Sequence, residues 1–121
     1  MYTLFVDMKF KAQHQLSFVD GTREPLHEHD WNVCAAVSSD RLDENEMVID
    51  FEELKSMLSN ILQDLRGERL ESLGTFEHRN ISAETLARTL YDRLAPKLPR
   101  TVRLDWIEVT EAPSCRARYC R

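Results

Sequence analysis

The sequence predicts an α+β domain, with an antiparallel four-stranded sheet and two helices on one of its faces. Apolar residues alternate with polar ones near both ends of the chain, which is typical of half-buried strands. In the middle of the chain they recur at three and four residues, as on amphipathic helices. Because strands and helices come in runs, the order is β-β-α-α-β-β, and the 121 residues are expected to form one domain.

The first two strands are expected to form a long hairpin. In residues 2–16, apolar side chains occupy alternate positions, and His14 continues their phase. A loop containing turn residues follows. Residues 27–38 then alternate again, and His27 and His29 lie on the same predicted face as the apolar residues after them.

Two helices are expected next. Asp50 with Glu53 three residues later is a capping-box pattern, and Gly67 is expected to end the first helix. Either Asn80 or Ser82 can cap the second helix. The buried stripes are predicted at Leu54, Met57, Leu58, Ile61, Leu62 and Leu65, and at Leu86, Ala87, Leu90 and Leu94.

The C-terminal part is expected to supply the last two strands. Residues 101–111 alternate and contain many β-branched and aromatic side chains. Pro113 interrupts this pattern, and residues 116–120 can return as a short strand.

Composition and charge argue against nucleic-acid binding and against a membrane-spanning protein. A net charge of −5 does not fit nucleic-acid binding, and no segment approaches the roughly 20 apolar residues that span a bilayer. The N-terminus lacks the pattern of a secretion signal, so a cytoplasmic location is expected. Three cysteines without a CxxC spacing fit neither a disulfide framework nor a zinc ribbon. Oligomerisation would help so short a chain to bury apolar surface.

Three histidines form a candidate metal site. His27 and His29 lie two apart on a predicted strand, so their side chains share a face and start about 6.6 to 7 Å apart. His14, on the preceding strand, could add a third nitrogen. Three imidazoles with one open position are typical of catalytic Zn²⁺, although Ni²⁺ and Cu²⁺ also suit them. Spacing alone leaves open that these are surface or hydrogen-bonded histidines.

Four runs of the sequence resemble, in order, motifs of the 6-pyruvoyl-tetrahydropterin synthase family, which includes the 6-carboxytetrahydropterin synthases. The family patterns are F-x-A-x-H, H-G-H, G-M-V-x-D-F-x-x-L-K and N-P-[ST]-[AS]-E-x-[LIV]-A. The corresponding runs are Phe10-Lys11-Ala12-Gln13-His14, His27-Glu28-His29, Glu46-Met47-Val48-Ile49-Asp50-Phe51-Glu52-Glu53-Leu54-Lys55 and Asn80-Ile81-Ser82-Ala83-Glu84-Thr85-Leu86-Ala87.

The resemblance implies the tunnelling fold and a zinc-dependent enzyme that acts on a pterin. His14, His27 and His29 match the zinc ligands. Glu111 matches the glutamate that anchors the pterin, a role for which a carboxylate accepting two parallel N–H bonds is suited. The resemblance further implies trimers that can stack into hexamers, with active sites between subunits.

The chain departs from the family pattern at the residues that move protons. Arg23 stands where family synthases have a cysteine, whereas Glu24 matches a subgroup with the pattern E-x-x-H-G-H that is associated with cleaving the side chain of dihydroneopterin. Glu24 is therefore the candidate general base. Glu28 replaces the glycine between the two histidines and is expected to point to the opposite face of the strand.

A second departure concerns the family motif L-D-H-x-x-L-N. Arg66 and Gly67 stand in place of its Asp–His pair, and Asp64, Glu77 or His78 could substitute. Two functions of different class therefore remain open, a zinc-dependent pterin lyase and a non-catalytic homologue that binds zinc and a pterin. A divergent enzyme acting on another purine- or pterin-like ring is a third possibility.

Overall fold

Four antiparallel strands form one sheet, in the order β1-β2-β3-β4. The computed structural model describes residues 1–74, 76 and 80–121. The strands are β1 (Tyr2–His14), β2 (His27–Ser39), β3 (Arg103–Ala112) and β4 (Cys115–Tyr119). The helices are α1 (Phe51–Leu62) and α2 (Ala83–Leu94), with short 3-10 turns at Leu70–Ser72 and Ala95–Lys97. The predicted α+β class and the order β-β-α-α-β-β are confirmed.

The core lies between the helices and one face of the sheet. Alternate residues of β1 and β2 supply this face, and Val6, Phe10, Trp31 and Val33 are buried there. The predicted stripes of both helices join them in one hydrophobic cluster, with Met57 only partly buried at its margin. Phe10 stacks on Trp31, with ring centroids 6.4 Å apart.

The first helix ends earlier than the sequence predicts. α1 ends at Leu62, and the chain continues through turns to Gly67, which has φ +75°. The prediction that Gly67 ends the helix was therefore wrong, although the left-handed backbone that favours glycine is present there. Asp50 caps α1 as predicted, but its side chain accepts from the Glu52 N–H.

The cap of the second helix is Ser82, whose hydroxyl accepts from the Thr85 N–H at 3.2 Å. Asn80 has a different role: its side-chain amide donates to the Ser17 carbonyl and accepts from the Ser17 N–H. These two bonds tie the loop after β1 to the start of α2. Neither helix of the described residues is long and apolar enough to cross a membrane.

Candidate metal centre

The pairing of β1 with β2 brings the three histidines together. His14 and His27 form the last pair of the β1–β2 ladder, and His29 pairs with Ala12 two positions earlier. All three side chains lie on the core side of the sheet, where each packs edge to face against its neighbours. The strand period of two, which predicted a shared face for them, is confirmed.

Glu111 joins the histidines from β3. One of its carboxylate oxygens lies 2.9 Å from His14 Nε2 and 3.5 Å from His29 Nε2. Ligand atoms of these three residues and His27 all lie within 4.8 Å of one another. The structure thus brings together four residues that can each offer one atom to a single metal ion.

Backbone carbonyls set the tautomers of two of these histidines. His14 Nδ1 lies 2.9 Å from the Ile81 carbonyl oxygen, and His27 Nδ1 lies 2.8 Å from the Pro25 carbonyl oxygen. A carbonyl oxygen only accepts, so each Nδ1 carries the proton and each Nε2 of a neutral ring presents a lone pair. Metal-bound histidines are commonly oriented by such a bond at the other ring nitrogen.

Several lone pairs face one another in this cluster, and the described residues supply no hydrogen-bond donor to them. His14 Nε2 and His27 Nε2 are 2.8 Å apart, and Glu111 adds a carboxylate oxygen. His29 Nε2 is buried and has no hydrogen-bond partner among the described residues. Such a cluster of acceptors favours a bound cation. Tetrahedral Zn²⁺ has bonds of about 2.0–2.1 Å to nitrogen, which places its nitrogen ligands about 3.3 Å apart. The residues present therefore fit zinc.

The environment of His29 favours its neutral form. Burial lowers the pKa of His29, because desolvation penalises the charged ring, and the neighbouring Glu111 carboxylate partly offsets that effect. A neutral imidazole is the form that binds a metal ion.

Glu24 reaches the same cluster from the loop before β2. Its Oε1 lies 3.7 Å from His27 Nε2 and 3.9 Å from His14 Nε2. The Leu16 N–H donates to this oxygen at 3.1 Å, and the Glu24 N–H donates to the Leu16 carbonyl at 3.0 Å. Glu24 is thus held beside the histidine cluster, although its place in a loop would also allow it to extend into solvent.

Arg66 and Gly67, which align with the Asp–His pair of the motif that the sequence resembles, have structural roles outside the histidine cluster. The Arg66 guanidinium donates to the Lys9 carbonyl, and the Gly67 N–H donates to the Lys11 carbonyl. Asp64 is exposed and makes no hydrogen bond or ion pair to the histidines in the described part of the chain. Glu77 and His78 lie outside the described residues.

Two parts of the site carry no sequence signal. Every residue has a backbone carbonyl, so the residue types at Pro25 and Ile81 do not indicate that these carbonyls accept bonds from histidines. Glu71, whose carboxylate accepts from the Ile81 N–H, has no role predicted from the sequence. By contrast, Glu28 is exposed on the face opposite the histidines, as expected from its odd position between them.

An open cavity of about 420 Å³ adjoins the centre. It lies between the start of α2 and the turn joining β3 to β4, and Glu111 forms part of its wall. The other lining residues are Ala83, Glu84, Ser114, Cys115, Arg116 and Ala117. A small polar molecule in this cavity would contact Glu111 beside the histidine cluster.

Comparison with known proteins gives one family. The sequence model of the 6-pyruvoyl tetrahydropterin synthase family matches residues 3–121. The structure resembles 6-pyruvoyl tetrahydropterin synthase from Caenorhabditis elegans, with a TM-score of 0.85, 18% identity and coverage of 99% of this chain and 95% of that chain. No curated protein matches the sequence.

The same enzyme from Plasmodium vivax is also similar in structure. Its TM-score is 0.76 at 20% identity, with 99% of this chain and 97% of that chain covered. A variant of the P. vivax enzyme in which a catalytic residue, a glutamate, is replaced by alanine gives a TM-score of 0.77 at 19% identity and the same coverage.

Proposed function

Because the chain belongs to the 6-pyruvoyl tetrahydropterin synthase family, we propose that it is a zinc-dependent pterin lyase. Its substrate would be 7,8-dihydroneopterin or its triphosphate, altered in the side chain at ring carbon 6. The observation that carries this proposal is the cluster of His14, His27 and His29, whose facing acceptor atoms favour a bound cation. These three histidines would hold Zn²⁺, which when bound would polarise the side-chain oxygens of the substrate.

Glu24 would move the proton. Its carboxylate oxygen lies within 4 Å of two of the proposed ligand nitrogens, so a substrate hydroxyl brought to the centre would lie within its reach. The bond from the Leu16 N–H fixes that oxygen before substrate arrives. Glu24 would take the hydroxyl proton as the side chain is cleaved. The catalytic glutamate of the P. vivax enzyme is consistent with a carboxylate in this role.

Glu111 would orient the pterin ring. Its carboxylate lines the cavity next to the cluster and could accept two N–H bonds from the 2-amino-pyrimidinone edge. Its short contact with His14 Nε2 allows a second role, as a fourth ligand of the metal. The same carboxylate would then serve either the metal or the substrate. Measuring zinc affinity and pterin affinity separately distinguishes these roles.

A non-catalytic zinc- and pterin-binding homologue is the second candidate. It is favoured by Arg66 and Gly67, which take the positions of the family's Asp–His pair and bond instead to the β1 backbone. A chain without that pair can retain the metal and the ring-binding carboxylate while losing proton transfer. Such a protein would return a bound pterin unaltered.

The proposal also covers assembly and location. We propose that residues 1–121 act as one domain and associate as trimers or hexamers in the cytoplasm. The sheet supports association, because β1 and β4 are its two edges. Residues 66–69 bond to β1 near its C-terminal end, from Lys9 to Gln13, and leave the start of this 13-residue strand as an edge. An edge strand presents unpaired N–H and C=O groups with which another chain can pair. Sedimentation of the purified chain tests the oligomeric state.

One experiment decides between the two functions. Purified protein of known zinc content is incubated with 7,8-dihydroneopterin or its triphosphate, and the products are followed by mass. We expect release of a side-chain fragment of two carbons or more, dependent on zinc. Bound zinc and bound pterin without any product would instead establish the non-catalytic homologue. A screen of other dihydropterins and purines tests for a different ring substrate.

A further inference from the structure

Glu71 joins the two stretches of chain that hold His14 in place. Its Oε1 accepts from the Gln15 N–H at 2.9 Å, and its Oε2 accepts from the Ile81 N–H at 3.1 Å. Gln15 directly follows His14, and Ile81 is the residue whose carbonyl accepts the His14 Nδ1 proton. One carboxylate thus braces the histidine along its main chain and, through Ile81, at its ring.

The side chain of Glu71 completes a row of backbone bonds at the end of β1. The Gln13 N–H donates to the Glu68 carbonyl at 2.8 Å, because the chain before Glu71 runs beside this edge of the strand. Two residues further along the chain, just past the end of β1, the Gln15 N–H needs an acceptor after the neighbouring main chain has entered the 3-10 turn. Glu71 supplies it from its side chain.

The position of His14 makes this brace consequential. His14 is only 1% exposed, so water cannot replace a lost partner for its Nδ1–H. If the Ile81 carbonyl moved away, the ring could exchange its proton to Nε2, the nitrogen that faces His27 and Glu111. A protonated Nε2 cannot bind a metal ion.

We propose that Glu71 is a positioning residue of the metal centre, which keeps His14 in the tautomer that binds zinc. The inference rests on the proposed function for its metal. Partners that orient metal-bound histidines typically contribute about 10- to 100-fold to metal affinity. Glu71 acts one step further out, through the peptide that carries the orienting carbonyl.

The test combines two substitutions at Glu71 with two measurements. Glu71→Gln keeps the size but turns one acceptor into an NH₂ group that faces a backbone N–H. Glu71→Asp keeps the charge but is too short to reach both N–H groups. Zinc affinity is measured by competition with a chelator. The tautomers of His14 and His27 are measured by ¹⁵N NMR on the zinc-free protein at pH 8.

Asp43 provides a matched control. Its carboxylate also accepts from two backbone N–H groups, those of Asn45 at 2.8 Å and Met47 at 3.1 Å, in a loop before α1. Both of these bonds go to Oδ1, so Asp43→Asn replaces a carboxylate by an amide in a loop that supplies no ligand, with its accepting oxygen retained. His27 is an internal control, because its Nδ1–H bonds to Pro25 and not to a group that Glu71 holds.

We expect both Glu71 variants to weaken zinc binding by about 10- to 100-fold. They should also show a fraction of His14 protonated at Nε2, with His27 and Asp43→Asn unchanged. Wild-type affinity and tautomer in either folded variant would overturn the inference, and so would an equal loss of affinity in Asp43→Asn. If the wild-type protein binds no zinc, the proposed function fails, whereas the His14 tautomer still decides the role of Glu71.

Discussion

The Nε2 atoms of His14 and His27 lie 2.8 Å apart, and both are acceptors in the neutral rings. Two lone pairs at this distance repel each other unless a proton or a metal ion lies between them. The carbonyls of Ile81 and Pro25 hold the available ring protons at the far nitrogens, so the repulsion cannot be relieved by a change of tautomer alone. A bound cation relieves it without disturbing either bond.

We therefore expect the protein to bind one Zn²⁺ per chain and to be stabilised by it. At a free zinc concentration 100 times the Kd, the free energy of unfolding should rise by about 2.7 kcal/mol. Thermal unfolding with and without chelator measures this. Alanine at His14, His27 or His29 should abolish the effect. Glu28→Ala, between His27 and His29 but on the opposite face of β2, is the control. Retained stoichiometry in the three ligand variants would contradict the assignment.

Glu24→Gln should slow turnover by about 10²- to 10⁴-fold, because the amide cannot take a proton. Zinc content should not change, since the amide oxygen can still accept from the Leu16 N–H. Steady-state kinetics with 7,8-dihydroneopterin provides the measurement. Glu28→Gln removes a nearby carboxylate on the other face of β2 and should leave the rate unaltered. Full activity in Glu24→Gln would remove Glu24 from the mechanism.

Glu111→Gln should weaken pterin binding while zinc affinity stays near that of the wild type. The amide loses one of the two acceptors that a 2-amino-pyrimidinone edge requires. Calorimetry gives the affinity for zinc and for pterin separately. Glu108→Gln, on the opposite face of β3, is the matched control. A loss of zinc affinity in Glu111→Gln alone would show that this carboxylate is a metal ligand.

Gly67→Ala should lower the free energy of unfolding by about 1 kcal/mol, because alanine is strained at φ +75°. Nothing lies within 4 Å of an added Cβ, so no steric clash contributes. Gly74 is also surrounded by open space, but its φ is not in the strained region, so Gly74→Ala should have little effect. Urea denaturation measures both variants. Equal stabilities would refute the backbone argument.

Cys34 should resist alkylation in the folded protein. Burial and the nearby Asp7 carboxylate raise the pKa of its thiol from 9.0 to about 12. The thiolate fraction at pH 8 should then be about 10³-fold lower than for an unshifted thiol. Peptide mapping after iodoacetamide, with urea-unfolded protein as control, measures the protection. Equal rates in the folded and unfolded chain would contradict it.

The same shift has a consequence for stability. In the unfolded chain Cys34 loses its proton near pH 9, whereas the folded protein retains it up to about pH 12. The folded state therefore binds more protons in this window, and stability falls as the pH rises through it. The contribution is fully present below pH 9.

The periodicity of the strands predicted that His14, His27 and His29 share one face of the sheet, because every second side chain of a strand points to the same face. The end of α1 could not be predicted in this way. Leu65 remains buried beyond Leu62 and continues the helical spacing, although the chain has already turned. Glu24 was predicted from a family pattern, but the bonds that position Glu24 and Glu71 were not. They join residues that are distant along the chain, and such pairings leave no pattern in the sequence.

His14 pairs with His27 at the very end of the hairpin, so the metal ligands come together only when β1 and β2 are in the correct register. A slip of β1 by one residue would turn His14 from the core to the opposite face, since side chains alternate along a strand. His27 and His29 would then lack His14 as a third ligand. Glu111 can join the site only after β3 has paired with β2. We therefore expect zinc to bind late in folding, and only to chains whose strands have the native register.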